Sequence, residues 1–517
     1  MQKHSSTRSG NGRVRRAIGG LAGRFLRDAR AGVAIPFALT AIPLTFMSVA
    51  AVDFHRASMV KNGLQDALDA ATLAVGRSTL TAAADVQALG SSTLSANLRA
   101  YPNTHLDSTS FVLDGNSVEA SAHVSVTPLV ADAFGGGQLH VDASSEVVRA
   151  VNKLEVAMVL DNTGSMAGSK LTLLKTAAKN FIDTLSAAAA RSADPNSVKI
   201  GVVPFSMTVN VGSTYQNASW MDTTGASPIN DELFASHVNR FTLFQQMGVA
   251  WGGCVESRQA PYDVQDTAPS ADTPATLFTP FFAPDEPDLQ GYYNNYLADV
   301  TTGAWNVRQA YVAKYNTQTF SHTGTNGSTG YQLGPNAGCS LQALARLSTN
   351  WTSLKSTVDG MNAVGDTNIP MGMMWGWHVL SPNAPFADGV PYGTAKTTKV
   401  MVLMTDGQNQ NTSNNDGNAS FYSGDGYIWQ NRLGISSGSN AQRTTALDGR
   451  ETAVCTNMKN QGIVVYTVRV DVNDNNYTVL QGCASSPDKF YDVQDATQLS
   501  AVFNAIAGAI ENLRISK

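Results

Sequence analysis

"LEVAMVLDNTGSM", residues 154–166, carries an apolar run straight into an aspartate, with hydroxyl side chains and a glycine close behind. A short apolar run bounded by turn residues reads as a strand buried on both faces, as in parallel sheets. Ending such a strand in Asp161, Thr163 and Ser165 puts short oxygen donors at a carboxyl edge, where open α/β sheets gather their ligands.

Downstream the pattern alternates. "KLTLLKTAAKNFIDTLSAAAA" (170–190) reads as a helix and "VKIGVVPFS" (198–206) as the next strand. Residues of about 213–338, rich in Pro, Tyr, Trp, Asn and Thr, show no sustained period. A stretch that long is expected to be an insertion with structure of its own. Its aromatics Trp251, Tyr292, Tyr293, Tyr296 and Trp305 are expected to pack a small core of the insertion, with a binding face as the alternative. Residues 341–363 are expected to be helical, 398–407 ("TKVMVLMTDG") a strand, 441–460 a helix, 462–472 a strand and 497–513 a closing helix. Strand–helix alternation favours a mostly parallel sheet between helices, a Rossmann-like α/β class.

Asp406 ends the strand at 398–407 as Asp161 ends the first, and Thr367 in "VGDTNIP" lies in a connection that could reach the same edge. Each piece alone is an ordinary cap or turn. Together they offer two carboxylates and three hydroxyls, an all-oxygen set suited to a hard divalent cation. Few carboxylates and retained waters favour Mg²⁺, with Mn²⁺ or Ca²⁺ as alternatives. Two acids only neutralise the ion, so a carboxylate from a partner could complete its shell.

The N-terminus has a different composition. Lys3, Arg8, Arg13, Arg15, Arg16, Arg24, Arg27 and Arg30 face the single acid Asp28, and the stretch 32–52 then carries no charge. About 20 apolar residues span a bilayer core, and the basic flank orients residues 1–31 to the cytoplasm. The expected topology is a single inner-membrane pass with everything beyond Asp53 periplasmic or otherwise extracytoplasmic. A cleaved signal peptide ending near "SVA" (48–50) is the alternative. Between anchor and α/β region, 53–150 is expected to hold a helix to about residue 76, a second helix over 81–99, and a β-hairpin turning at Asp114-Gly115-Asn116. A further strand is expected in "HVDASSEVVRAV". The net charge of −5 argues against nucleic acid as a partner.

Cys254, Cys339, Cys455 and Cys483 all lie outside the membrane in this topology, and an even number there suggests two disulfides. Three pairings are open; nearest neighbours would join 254 with 339 and 455 with 483. No CxxC or HExxH occurs, "NTGSMAG" misses both glycines of the Gly-x-Ser-x-Gly elbow, and "GSMAGSKL" lacks the end of a phosphate loop. "DVNDNN" (471–476) lacks the central glycine and closing Glu of a calcium loop, and His378 sits in an apolar stretch as a core residue. No catalytic residue is assigned, and an enzyme is not expected.

"DNTGSM", "GDTNI" and "MTDG" resemble the metal-ion-dependent adhesion site of the von Willebrand factor A domain. The resemblance maps the ligands to Asp161, Thr163, Ser165, Thr367 and Asp406, with Thr163 where serine is commoner, and implies an A domain over 153–517 interrupted by the insertion. "RDARAGVAIPFALT" followed by "LQDALDAATLAV" resembles TadG-like proteins of the tight-adherence (Flp) pilus machinery, although Phe37 stands where related pseudopilins carry glutamate. Together these likenesses imply a membrane-anchored scaffold of pilus assembly that binds an acidic side chain of pilus or secretion components through the cation. A surface-displayed adhesin is the alternative, and a metal-dependent hydrolase a remote one.

Overall fold

One helix, α1 (Ala34–Arg77), carries the uncharged stretch and continues past it without a break, with Pro43 inside. The computed structural model describes residues 34–78, 80–99, 104–115, 117–128, 138–148, 152–192, 194–288, 294–325, 331–472 and 478–515, so the basic arm at 1–31 lies outside the described residues. The most apolar window of α1 has mean hydropathy 1.7, long and apolar enough to cross a membrane by length and composition. Hydroxyls within this window are tied to the helix's own backbone, as a span in lipid would require: Thr40 and Ser48 donate to the carbonyls of Pro36 and Leu44, each at 2.8 Å.

The chain divides into two units, 1–149 and 150–517. In the first, the later part of α1 and helix α2 (Ala83–Leu98) cover a three-stranded antiparallel sheet of β1 (Thr104–Asp114), β2 (Ser117–Val126) and β3 (Leu139–Val148). Leu64, Leu68, Ala71 and Val75, one helical stripe, are fully buried against the alternating Val118, Ala120, Ala122, Val124 and Val126 of β2. Strand β1 begins seven residues before Phe111, where the alternation first shows. A register shift between Leu106 and Ser108 breaks the period-two pattern and hides the earlier half from sequence.

The second unit is a six-stranded mixed sheet. Its strands are β4 (Lys153–Asp161), β5 (Val198–Phe205), β6 (Ala345–Ser348), β7 (Thr397–Thr405), β8 (Val464–Val470) and β9 (Phe490–Val493). The order is β9-β8-β7-β4-β5-β6, parallel except for the antiparallel edge strand β6. One face packs on α3 (Ser169–Ala190), α4 (Trp351–Asp359) and α8 (Leu499–Ile515), through Leu154, Val156, Met158 and Leu160. The other face, with Ala157, Val159, Val203 and Phe205, packs on α5 (Ile369–Leu380), α6 (Asn440–Asn460) and the insertion. Burial on both faces explains why the central strands read as continuous apolar runs.

Two expectations are corrected. "LQALARL", expected as the start of a helix, is not helical: residues 345–348 pair with β5, and helix begins only at Trp351, capped by Asn350. The strand edge left open by β5 outweighs the helical propensity of Leu and Ala. The insertion does not pack a core of its own. Trp251 and Tyr296 lie in one cluster with Phe205, Val159 and Trp375, and Phe278 rests on Trp375 at 4.8 Å between ring centres. The insertion completes, with α5 and α6, the layer over one sheet face. Trp305 is half-buried, and Tyr292 and Tyr293 lie outside the described residues. Helix α7 (Thr478–Cys483) and strand β9 are additions too short for periodicity to reveal. Disulfides close Cys254 to Cys339 and Cys455 to Cys483.

Candidate metal centre

Strands β4 and β7 are parallel neighbours in a register that sets Leu160 beside Met404, so Asp161 and Thr405 come level at their carboxyl ends. After β4 the chain crosses to β5 on one side, whereas β7 lies on the other. The crevice is therefore a topological switch point of the sheet.

Asp161 is fully buried and held at both oxygens. The Thr163 amide donates to Oδ1 at 2.8 Å and the Thr405 hydroxyl to Oδ2 at 2.7 Å. A 3₁₀ turn over Gly164–Met166 follows, with Met166 buried as its anchor. The turn brings the Thr163 and Ser165 hydroxyls to 3.0 Å of each other, and Ser165 Oγ donates to Asp406 Oδ1 at 2.6 Å. Four of the five oxygen-bearing residues singled out from sequence are thus linked through their side chains or adjacent backbone, although 241 residues separate Ser165 from Asp406.

Thr367, buried, lies in a connection pinned at both sides. The Gly164 amide donates to Gly365 O at 2.9 Å and Val364 N to Asn162 O at 2.9 Å. Gln410 N donates to Thr367 O at 2.8 Å, and Asn409 Oδ1 accepts from Ile369 N at 3.0 Å. Thr367 therefore sits between the loops that follow Asp161 and Asp406. Gly365 adopts φ +78°, and a Cβ there would stand 2.9 Å from Tyr331 Oη, so the crowded turn favours glycine. Asn368 caps α5, accepting from Met371 N and donating to Asp425.

Burial pushes the Asp161 carboxyl up to about 6, and the charge of Asp406 adds to it against the hydrogen bonds from Thr163 and Thr405. A buried carboxylate whose ionisation is opposed by a neighbouring carboxylate calls for a nearby cation. The donors are all oxygens, carried on short side chains from three separate loops, which fits Mg²⁺ or a similar hard ion. The cluster of Glu451, Cys455 and Cys483 offers no comparable site, since both sulfurs are spent on a disulfide.

Two residues here, Thr405 and Lys170, were not singled out from sequence, and Asp471 appeared there only in the rejected calcium-loop stretch. Thr405 holds Asp161 in place. Lys170, second residue of α3, places Nζ 2.9 Å from Asp406 Oδ2 and 3.4 Å from Asp471 Oδ2. Burial pulls the Lys170 ammonium down, but its hydrogen bond to Asp406 and the charges of Asp406 and Asp471 outweigh this and leave it raised. A lysine in the first turn opposes the helix dipole, and that mismatch was the available signal for a carboxylate partner.

Residues 32–85 match the family described as "Putative Flp pilus-assembly TadE/G-like". The likeness to that family is confined to those residues. No curated protein matches the chain. Among solved structures, the chain is similar to the vWF domain of the type V pili tip protein Mfa5 from Porphyromonas gingivalis, at 10% identity and TM-score 0.33, covering 71% of this chain and 97% of that one. It is also similar to the adhesive tip pilin GBS104 of Group B Streptococcus agalactiae, at 10% identity and TM-score 0.34, covering 69% and 100%. A third is the pilus adhesin SpaC of Lactobacillus rhamnosus GG, at 13% identity and TM-score 0.31, covering 80% of this chain and 35% of that one. At such identities and scores the fold is read from this chain's own sheet order and register. The TadE/G-like segment is a short part of the chain and leaves the α/β unit to be read from its own geometry.

Proposed function

We propose that the α/β unit binds a carboxylate of a partner protein through one divalent cation, Mg²⁺ by preference, held by Asp161, Thr163, Ser165, Thr367 and Asp406. The reading rests above all on the 2.6 Å contact of Ser165 with Asp406, which joins the loops after two adjacent parallel strands at the switch point. When bound, the ion supplies a Lewis-acidic position that an incoming carboxylate oxygen can fill. The chain's own groups do the rest: Thr405 and the Thr163 amide fix Asp161, and the connection at 362–368 holds the Thr163–Ser165 turn from behind. Partner affinity then follows how well the partner's acid completes the shell.

The TadE/G-like segment and the apolar first half of α1 support a setting in the inner membrane, N-terminus cytoplasmic, with the α/β unit a scaffold for pilus assembly. Display as an adhesin is the second reading, and protease added to intact cells separates the two, since only a displayed unit is cut beyond residue 153. Metal-bridged binding is tested by recovering partners from solubilised membranes with and without chelator, for the wild type and Asp161→Ala. Partners should be lost with chelator and with the variant. Identical recovery in all four conditions would reject the proposal.

A further inference from the structure

Asp406 has both carboxylate oxygens engaged, and only one of its partners belongs to the candidate ligand set. Oδ1 accepts from Ser165, while Oδ2 faces the ammonium of Lys170 at 2.9 Å. The same ammonium reaches a second acid, Asp471, at 3.4 Å. Asp471 directly follows β8, the strand beside β7, and takes the left-handed conformation at φ +55° with its amide held by Val493 O at 2.7 Å. Lys170 thus stands between an acid of the metal centre and an acid outside it, on a flexible four-carbon stem with three rotatable donors.

We propose that Lys170 is a tethered cation that competes with the divalent ion for Asp406, and that Asp471 is the position it moves to when the ion binds. This rests on the metal-centre reading above. With no ion bound, the ammonium balances a buried carboxylate. With an ion at Asp406, a positive charge within hydrogen-bond distance of the same carboxylate is repelled, and a waiting acid on the other side lowers the cost of moving. Lys170 and Asp471 then set the ion affinity without ligating it, and so the ion concentration at which partners are held.

The test is Mn²⁺ binding to the full-length chain in detergent, by titration calorimetry and by loss of the free-ion resonance signal. Lys170→Met should bind Mn²⁺ about tenfold tighter or more, within the range of ordinary site-to-site coupling. Lys170→Arg keeps the charge and should stay near wild type. Asp471→Asn should weaken binding several-fold, about the lower end of that range, by leaving Lys170 on Asp406, and should have no effect in the Lys170→Met background. Because the last comparison is a cycle, a general loss of fold cannot imitate it. In chelator, Lys170→Met should melt below wild type, a readout independent of bound ion. If wild type binds Mn²⁺ and Lys170→Met, still unfolding in one cooperative transition, binds equally or more weakly, the competing role is wrong and the metal centre stands. If no variant, wild type included, binds Mn²⁺, the metal-centre reading fails and takes this inference with it.

Discussion

Replacing Asp161 with asparagine should remove a pH dependence that the wild type shows only without metal. The carboxyl is fully buried and raised from 3.8 to about 6. A raised carboxylate contributes its full stability below the unfolded value and loses it as pH climbs through the folded value. The loss therefore falls between about pH 4 and pH 6, and a shift of about two units corresponds to about 3 kcal/mol. Asparagine keeps an oxygen for the Thr163 amide and carries no titratable proton, so the variant escapes that loss. In chelator the variant should gain on wild type by about 3 kcal/mol from pH 4 to pH 7. At about 2.1 cal/mol/K of unfolding entropy per residue, that is about 4 °C for the α/β unit. Other raised acids, Asp285 at about 6, Glu286 at about 7 and Glu451 at about 8, titrate in both proteins and cancel in the difference. Adding divalent ion should offset most of that gain: at a hundredfold excess over Kd the wild type gains about 2.7 kcal/mol, and the variant far less. Calorimetric scans of the full-length chain from pH 4 to 7, with chelator or Mg²⁺, supply all four series. A wild type–variant difference that stays flat across that range in chelator would refute the reasoning.

Two further outcomes are expected. Gly376 in α5 approaches the sheet so closely that a Cβ would lie 2.4 Å from Val159 Cγ2 and 2.8 Å from Met401 Cε. Gly376→Ala gains about 1 kcal/mol of helix propensity but overpacks a core at about 1–3 kcal/mol, so the urea midpoint should fall; a rise would show that the layers can separate. The disulfides close spans of 85 and 28 residues, so loop-closure entropy assigns about 4.6 kcal/mol to Cys254–Cys339 and about 3.6 to Cys455–Cys483. Paired serine substitutions compared by melting should show the first as the costlier loss, and equal costs would place the effect outside chain entropy.

Local pattern made much of this chain legible. The stripe Leu64, Leu68, Ala71 and Val75 and the alternation of β2 each announce one buried face, because periodicity is a local property of helix and strand. Asp161 and Asp406 were visible because each ends an apolar strand, and a residue at a strand's end goes where the sheet's edge goes. Lys170 is marked only by its place in a helix's first turn and Asp471 only by a stretch that fails as a calcium loop, and nothing joins the two until the fold sets them 3.4 Å apart. Residues 345–348 misled for a related reason: their helical composition yields to the open edge of β5, a demand set by a strand 140 or more positions earlier.

The sequence by itself determined the apolar first helix, the strand–helix alternation and the identity of five oxygen-bearing residues, all written in neighbouring positions. Only the tertiary structure decided that β7 lies beside β4 in the register that levels Thr405 with Asp161. It alone decided that the insertion is a layer over the sheet, and that an ammonium shares the carboxylates of the crevice. Those outcomes depend on which surfaces meet when distant segments bury their apolar faces, and no local period encodes that choice.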